Sequence, residues 1–292
     1  MTTGVTPEHL LRRVAELLDR VATLLPPATV DPDWSHHAFR WRRGRQGGGW
    51  LQTVTHPHAI QLDDLRGIER QKTALVRNTR QFIAGLPANN ALLWGSRGTG
   101  KSSLIKAVVN AYVEQGLRIV EVDRNDLIDL PDVLDRIAHR RERFVLFSDD
   151  LSFEAGDPSY KALKAALDGS VYAPPDNVLI YATSNRRHLM PEYLSENLDA
   201  RAVDSEIHHG ESVEEKISLS ERFGLWLSFH PFNQDRYLDI VAYWLARFEA
   251  PDGLDEACRA EALRWALMRG SRSGRSAYQF ARDWAGRRRL AE

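Results

Sequence analysis

Short apolar runs alternate with segments of helical spacing over residues 61–200, and one more run follows near residue 225. Continuous apolar runs of four or five residues are typical of strands that are buried on both faces. Their alternation with helices is typical of a parallel sheet. The pattern therefore predicts an α/β core in which helices cover a parallel sheet. The predicted strands are Ala91–Trp94, Arg118–Val122, Phe144–Phe147, Val178–Ala182 and Leu225–Ser228.

The two ends of the chain have other patterns. An apolar stripe over residues 6–25 predicts an amphipathic helix, and two prolines end it. Residues 28–60 have little periodicity and contain three successive glycines, which predicts a linker or an arm across the core surface. From about residue 230 the pattern is helical only. We therefore expect an N-terminal helix and arm at 1–60, an α/β core at 61–229 and a small all-α domain at 230–292.

Balanced charge and a single cysteine narrow the class of protein. The 292 residues include 39 Lys and Arg against 40 Asp and Glu, so the formal net charge is −1. This balance does not support nucleic-acid binding through bulk charge, although it leaves room for a local basic patch. Cys258 alone excludes intramolecular disulfides and thiolate zinc sites. No apolar stretch approaches the roughly 18 residues of a membrane span, and the polar N-terminus does not resemble a signal peptide. We expect a soluble, cytoplasmic protein without a membrane partner.

Residues 95–102 read Gly-Ser-Arg-Gly-Thr-Gly-Lys-Ser, which is the spacing of a phosphate-binding loop. Glycine lets backbone N–H groups turn inward around a phosphate. Lys101 can then reach the β- and γ-phosphates, and the Ser102 hydroxyl can bind Mg²⁺. A predicted strand precedes the loop and a predicted helix follows it, which is the context that the motif requires. We therefore expect a nucleotide site formed by Gly95, Ser96, Arg97, Gly98, Thr99, Gly100, Lys101, Ser102 and Ser103.

Two carboxylates, Asp149 and Asp150, follow the predicted strand Phe144–Phe147. Ligands of open α/β sheets bind at the carboxyl ends of the strands, so Asp149 is placed to hold Mg²⁺ through water. Asp150 occupies the place where many ATPases have a glutamate that polarises the attacking water. Because aspartate is shorter by one methylene, Glu154 is the alternative for this role.

Three further polar residues follow in an order that suits the same chemistry. Asn185 lies just beyond another predicted strand, where its amide can orient water beside the γ-phosphate. An Asn that caps a turn is the ordinary alternative. Arg222 precedes the last predicted strand and could reach the γ-phosphate of a neighbouring subunit. Arg275 opens a C-terminal helix and could reach the γ-phosphate of its own chain. Exposed arginines are more often solvated surface residues, so the argument for both depends on the order and spacing of the whole set.

Together, these residues resemble the AAA+ ATPases from about residue 60 to the C-terminus. Residues 144–154, 181–189 and 215–223 are similar to an uncharacterised bacterial family within that superfamily. The resemblance implies a P-loop NTPase (AAA+) fold, with a three-layer core around a parallel sheet and a small all-α lid. It also implies Walker A at Gly95–Ser102, Walker B at Asp149 and Asp150, sensor 1 at Asn185, an arginine finger at Arg222, sensor 2 at Arg275, and apolar walls for adenine at Leu65 and Ile68.

The resemblance implies an ATPase that binds ATP with Mg²⁺, hydrolyses it and couples nucleotide state to remodelling of an oligomer or a partner. Its expected partners are further copies of the same chain and an unknown protein or nucleoprotein client. The Asp149–Asp150 pair also resembles the replication-initiator and helicase-loader branch. The alternative is therefore a slow, ATP-gated binding module that acts on a nucleoprotein complex. The order of Arg222 and Arg275 disfavours a small-molecule kinase.

Aromatic and basic residues are interleaved over Phe39–Arg45, with Trp50 beyond them. This composition also occurs in proteins that bind single-stranded nucleic acid. We favour an arm whose rings pack on the core. The histidine pairs of the chain lack a carboxylate spacing that would indicate a metal site.

Overall fold

Seven strands form one sheet in the computed structural model, in the order β2-β1-β4-β5-β6-β3-β7. The structure describes residues 11–14, 16, 31–44, 48–153, 157–168, 175–187, 189, 219–250 and 252–290. The strands are β1 (Ala38–Arg43), β2 (Gly49–Thr53), β3 (Ala91–Gly95), β4 (Leu117–Glu121), β5 (Arg143–Ser148), β6 (Val178–Ser184) and β7 (Leu225–Phe229). The five predicted strands are all present, and they form a continuous parallel sheet as expected.

The strand that leads into the glycine loop, β3, lies between two parallel neighbours. Leu93 of β3 is opposite Thr183 of β6 on one side and Leu227 of β7 on the other. β5 adjoins β6 on its far side. Because the strands are parallel, the residues that follow β3, β5 and β6 meet at the same edge of the sheet.

Alternate residues of the strands enter two apolar cores, one on each face of the sheet. On β3, Ala91 and Leu93 belong to one core and Leu92 to the other. Within the described residues, the helices that cover the sheet are α1 (Glu69–Ile83), α2 (Lys101–Ala111), α3 (Leu130–Ile137) and α4 (Pro158–Asp168). The buried apolar residues of α1 and α2 belong to the first core, and those of α3 and α4 to the second. The continuous apolar runs of the sequence thus reflect strands that are covered on both faces, and the core has three layers.

An N-terminal hairpin extends the sheet beyond β4. β1 pairs in parallel with β4 and antiparallel with β2. Phe39 and Trp41 of β1 are buried, as expected for rings that pack on the core, and Trp41 Nε1 donates to Asp129 at 3.1 Å. A Cβ at Gly49 would lie 2.2 Å from the Trp41 ring, so the pairing of the hairpin needs glycine there. Neither strand was predicted: residues 38–43 and 49–53 join the sheet, whereas an arm across the core surface was expected.

Three helices follow β7, as the helical pattern of the C-terminal part predicted. They are α5 (Gln234–Arg247), α6 (Glu256–Met268) and α7 (Gly274–Leu290). The side chains of Asn233 and Asp255 accept backbone N–H bonds at the starts of α5 and α6. Ser273 does the same for α7, with its Oγ accepting from the N–H of Ser276 at 3.2 Å. None of the helices in the described part of the chain is long and apolar enough to cross a membrane.

The N-terminal helix predicted over residues 6–25 falls largely outside the described residues. Residues 11–14 and 16 are helical. The predicted division of the chain at residues 60 and 229 stays a prediction.

Candidate functional site

The loop between β3 and α2 has a backbone that glycine adopts readily and other residues do not. Positive φ angles of +124°, +74° and +103° occur at Gly95, Gly98 and Gly100. A Cβ at Gly95 would also lie 2.0 Å from the carbonyl oxygen of Phe229. The Thr99 hydroxyl donates to the Ser96 carbonyl at 2.7 Å and braces the loop. Because α2 begins at Lys101, the unpaired N–H groups of its first turn are available to an anion held by the loop.

Lys101 lies against the loop and is only 7% exposed. Its ammonium donates to the carbonyl oxygens of Gly95 (2.7 Å) and Ser96 (2.8 Å) and to the side-chain oxygen of Asn185 (3.0 Å). Burial lowers the pKa of Lys101 to about 8, and the negative charges of Asp150 and Asp149 oppose this shift. The side chain is therefore still mostly cationic at pH 7. A bound phosphate would offer this buried cation a counter-charge.

Asp149 follows β5 at the edge of the sheet where the glycine loop lies. In the register of β5 and β6, Phe147 pairs with Tyr181, so Asp149 comes opposite Thr183 two residues further on. The Ser102 and Thr183 hydroxyls both donate to Asp149 Oδ1, each at 2.5 Å. The structure thus brings together Ser102 and Asp149, the two residues predicted to bind metal.

Asp150 has a left-handed backbone, with φ of +52°. This conformation is uncommon for a residue with a side chain, and such residues cluster at functional sites. The Asp150 N–H donates to Thr183 Oγ1 at 2.9 Å, and its carboxylate accepts a bond from the Asn185 amide. Asn185 therefore contacts both Lys101 and Asp150. Glu154, the alternative to Asp150, lies outside the described residues.

The start of α7 packs on the glycine loop and brings Arg275 to it. The Arg275 N–H donates to the Gly98 carbonyl oxygen at 3.1 Å. A Cβ at Gly98 would lie 2.9 Å from Ser273 Oγ and 3.3 Å from Arg275 Cβ, so the contact is close. Burial is the main cause of the lowered pKa of Lys101, and the positive charges of Arg275 and Arg97 lower this pKa further. The loop is thus bordered by cations from its own sequence and from the C-terminal helices.

Leu65 and Ile68 lie against the same loop. They are 8% and 4% exposed. A Cβ at Gly100 would meet them at 3.8 and 3.5 Å. Beside this segment is a cavity of about 480 Å³, which is within the size range of small-molecule pockets. It is lined by Arg66, Gly67, Glu69, Arg236, Asp239, Ile240 and Tyr243, so it lies between the segment and α5.

Arg222 lies at the opposite edge of the sheet. It precedes β7, which begins opposite Ala91 and ends opposite Gly95. The length of the strand, about 13 Å at about 3.3 Å per residue, therefore separates Arg222 from the edge with the glycine loop. Its guanidinium pairs with Asp168 at the end of α4. The structure does not bring Arg222 to Lys101.

Thr183 is part of this cluster and was not predicted from the sequence. Its hydroxyl donates to Asp149 Oδ1 and accepts from the backbone N–H of Asp150. The available signal was its position two residues before Asn185, which puts both on the same face of an extended strand. A threonine in an apolar strand is common, so this signal was weak.

Comparisons with known proteins identify the family and the fold of the chain. The family described as Protein of unknown function (DUF815) matches residues 34–288. No curated protein matches the chain. The chain is similar to a solved structure of Aeropyrum pernix ORC1 in complex with DNA (TM-score 0.53, 16% identity, 78% of this chain and 62% of that one). It is also similar to two structures of Thermotoga maritima RuvB that carry single substitutions, one with TM-score 0.52 (17% identity, 76% and 64%) and one with 0.51 (16%, 76% and 63%).

These likenesses establish the fold. The chain has the AAA+ fold that the sequence predicted, with its P-loop strand between two parallel neighbours and helices after the sheet. It spans about 63% of the length of the second RuvB structure.

Proposed function

We propose that this chain, which belongs to the family Protein of unknown function (DUF815), is an AAA+ ATPase that binds ATP with Mg²⁺ and hydrolyses it. The observation that carries the proposal is the position of Lys101. Its buried ammonium is held at the glycine loop and is linked through Asn185 to Asp150. A cation, an amide and a carboxylate from three separate segments thus meet at one edge of the sheet, and this is the set that phosphoryl transfer to water needs.

The residues present fit a magnesium ion. A hydroxyl and a carboxylate are oxygen ligands of the kind that Mg²⁺ prefers, and Ser102 and Asp149 lie within hydrogen-bond distance of each other. Ser102 would bind the ion directly, and Asp149 would hold it through water. The ion would neutralise charge on the β- and γ-phosphate oxygens.

The remaining steps use side chains of the chain itself. We propose that Lys101 binds the β- and γ-phosphates and that Arg275 stabilises charge on the γ-phosphate in cis. Asn185 orients a water, and Asp150 accepts its proton as the water oxygen bonds to the γ-phosphorus and the bond to ADP breaks. Leu65 and Ile68 pack against the adenine.

Lys101→Ala tests nucleotide binding. Calorimetric titration with ATP in EDTA should show affinity lost or severely weakened, because the loop loses its buried cation. Lys161→Ala is the matched control, since Lys161 is an exposed lysine of α4. Unchanged ATP affinity in Lys101→Ala, with both variants folded, would contradict the proposal.

We further propose that nucleotide state changes an assembly of copies and acts on a protein or nucleoprotein client. Residues 230–292 would act as the lid, because α7 contacts the glycine loop through Arg275 and Gly98. A ligand bound in the loop would change this contact and would therefore move the lid. Arg222 lies at the far edge of the sheet, which supports a role for it in a neighbouring subunit.

A second candidate is a slow, ATP-gated binding module of the initiator or helicase-loader type. Two observations favour it: Asp150 replaces the longer glutamate, and the chain resembles in fold an ORC1 structure that is a complex with DNA. Steady-state ATP turnover with and without single-stranded DNA separates the two candidates. If the chain is primarily an ATPase, it should turn over ATP in the absence of DNA. Negligible ATP turnover, together with DNA binding that requires ATP, would favour the binding module.

A further inference from the structure

We propose that Thr183 is a positioning residue that sets the orientation of both Asp149 and Asp150 through one hydroxyl group. The inference rests on the proposed ATPase function and deepens it. Thr183 would act through the two carboxylates, because its hydroxyl contacts Asp149 and the backbone of Asp150.

The register of the sheet fixes the place of Thr183. It pairs with Leu93 of the P-loop strand on one side. On the other side Phe147 pairs with Tyr181, so the same parallel register carried two residues further sets Thr183 against Asp149. Thr183 is 1% exposed, so water cannot readily replace either of its hydrogen bonds. Thr183 therefore lies at a fixed point between β3 and the end of β5.

The directions of the two hydrogen bonds follow from the atoms. The backbone N–H of Asp150 can only donate, so Thr183 Oγ1 accepts at 2.9 Å. The single proton of the hydroxyl is then free to point at Asp149 Oδ1, 2.5 Å away. A valine at this position would have the same shape and could form neither bond.

For Asp149, this means that one carboxylate oxygen is held by two donors. Oδ1 accepts from both Ser102 and Thr183. The carboxylate cannot rotate without breaking both bonds. A Ser102 hydroxyl that gives its proton to Asp149 also keeps its lone pairs for a metal ion. Thr183 therefore helps to hold the predicted metal ligands in a single arrangement.

For Asp150, Thr183 supports an unusual backbone. The left-handed conformation at φ +52° aims the Asp150 side chain towards Asn185. Such a conformation persists when the surrounding structure fixes it. Without the hydroxyl, the N–H of Asp150 would lose its acceptor. The carboxylate would then lose its fixed position relative to Asn185.

The test compares three variants. Thr183→Val removes the hydroxyl and keeps the shape, and Thr183→Ser keeps the hydroxyl. Thr79→Val is the matched control, because Thr79 is also buried and also bonds to β6, through Tyr181 at 2.9 Å. We would measure the unfolding temperature in EDTA, the affinity for a non-hydrolysable ATP analogue at increasing Mg²⁺, and kcat and KM for ATP.

Loss of a group that orients a metal ligand typically costs about 10- to 100-fold in metal affinity or activity. Thr183→Val should therefore need about 10 to 100 times more Mg²⁺ for tight analogue binding, and its kcat should fall by a similar factor. Its affinity for the analogue in EDTA should match that of the wild type. Thr183→Ser should lie close to the wild type in every measurement. Thr79→Val should lose stability without a change in its response to Mg²⁺.

A wild-type Mg²⁺ response and kcat in Thr183→Val would overturn the inference, and so would equal damage in Thr183→Ser. If Thr183→Val does not fold, Thr183→Ala decides by the same measurements, because it also lacks the hydroxyl and adds no bulk. A wild-type protein that binds no nucleotide would refute the proposed function and this inference together. Normal Mg²⁺-dependent binding and equal kcat in the wild type and Thr183→Val would refute the inference alone.

Discussion

At the scale of single residues, the site consists of side chains that each contact more than one other group. Asn185 accepts from Lys101 and donates to Asp150. Asp149 accepts from Ser102 and Thr183. A substitution that removes one of these groups also leaves its hydrogen-bond partners without a contact. The effect of substituting one residue is therefore not additive with the effect of substituting its neighbour. Measurements that separate nucleotide binding from hydrolysis are therefore the informative ones.

Asp150→Asn should bind ATP with nearly wild-type affinity and lose hydrolysis. The amide oxygen can still accept the bond from Asn185, so the geometry is kept, but an amide cannot take a proton from water. Loss of a general base typically costs about 10²- to 10⁴-fold, and kcat should fall within this range. Calorimetric ATP binding and steady-state phosphate release measure the two properties.

Glu154→Gln is the comparison for this prediction, because Glu154 is the alternative base. We expect it to hydrolyse ATP at close to the wild-type rate. If Glu154→Gln retains ATP and loses hydrolysis while Asp150→Asn stays active, Asp150 is the wrong carboxylate.

At the scale of elements, the parallel strands were predictable and the N-terminal hairpin was not. A strand that is covered on both faces leaves a continuous apolar run in the sequence, as in the stretch Phe144–Phe147 of β5. β1 instead alternates aromatic and basic residues. Arg40 pairs with Asp123, and Trp41 bonds to Asp129. These partners are more than 80 residues away, so no local pattern could indicate them.

The site residues that could be predicted depend on local sequence patterns, and the one that could not depends on contacts between distant segments. Lys101 and Ser102 belong to a motif with fixed spacing, so a local pattern is sufficient. Asp149 and Asn185 follow predicted strands, which places both at one edge of the sheet. Thr183 has no motif of its own. Its importance depends on the register of β6 against β5, and register is a property of the folded sheet.

Trp41→Ala should reduce the free energy of unfolding by about 3–5 kcal/mol, as is usual for a fully buried aromatic side chain. Trp41 is 0% exposed, and the hairpin packs against it at Gly49. The loss should leave the ATP affinity of the folded protein unchanged, because three strands separate β1 from β3 in the sheet. Chemical denaturation and nucleotide titration measure the two effects.

Trp50→Ala is the control for this prediction, since Trp50 lies in the same hairpin and is only half-buried. It should cost clearly less stability than Trp41→Ala. Equal losses for the two variants would show that β1 is not anchored through Trp41.

At the scale of the whole molecule, the groups proposed for hydrolysis lie at two opposite edges of one sheet. The glycine loop, Asp150 and Asn185 meet at the carboxyl edge, and Arg275 reaches that edge from the C-terminal helices. Arg222 lies at the amino edge, beside Asp168. A rigid sheet cannot bring its two edges together. If Arg222 takes part in hydrolysis, a second copy of the chain must supply it.

Arg222→Ala should therefore bind ATP almost normally and hydrolyse it poorly. Removal of an arginine that acts in trans costs about 10³- to 10⁵-fold in other nucleoside triphosphatases. In the wild type, specific activity should rise with protein concentration as subunits associate. Arg282→Ala, which changes an exposed arginine of α7, should behave as the wild type does. Phosphate release over a range of protein concentrations measures both effects.

A mixture of Arg222→Ala and Lys101→Ala proteins tests the assembly itself. Neither variant alone should hydrolyse ATP, because one lacks the arginine and the other cannot bind nucleotide. In a mixed oligomer, a Lys101→Ala subunit can donate its intact Arg222 to the intact loop of an Arg222→Ala subunit. Part of the activity should then return on mixing. If specific activity does not depend on concentration and mixing restores nothing, the protein hydrolyses ATP as a monomer, and the pair of Arg222 with Asp168 is structural.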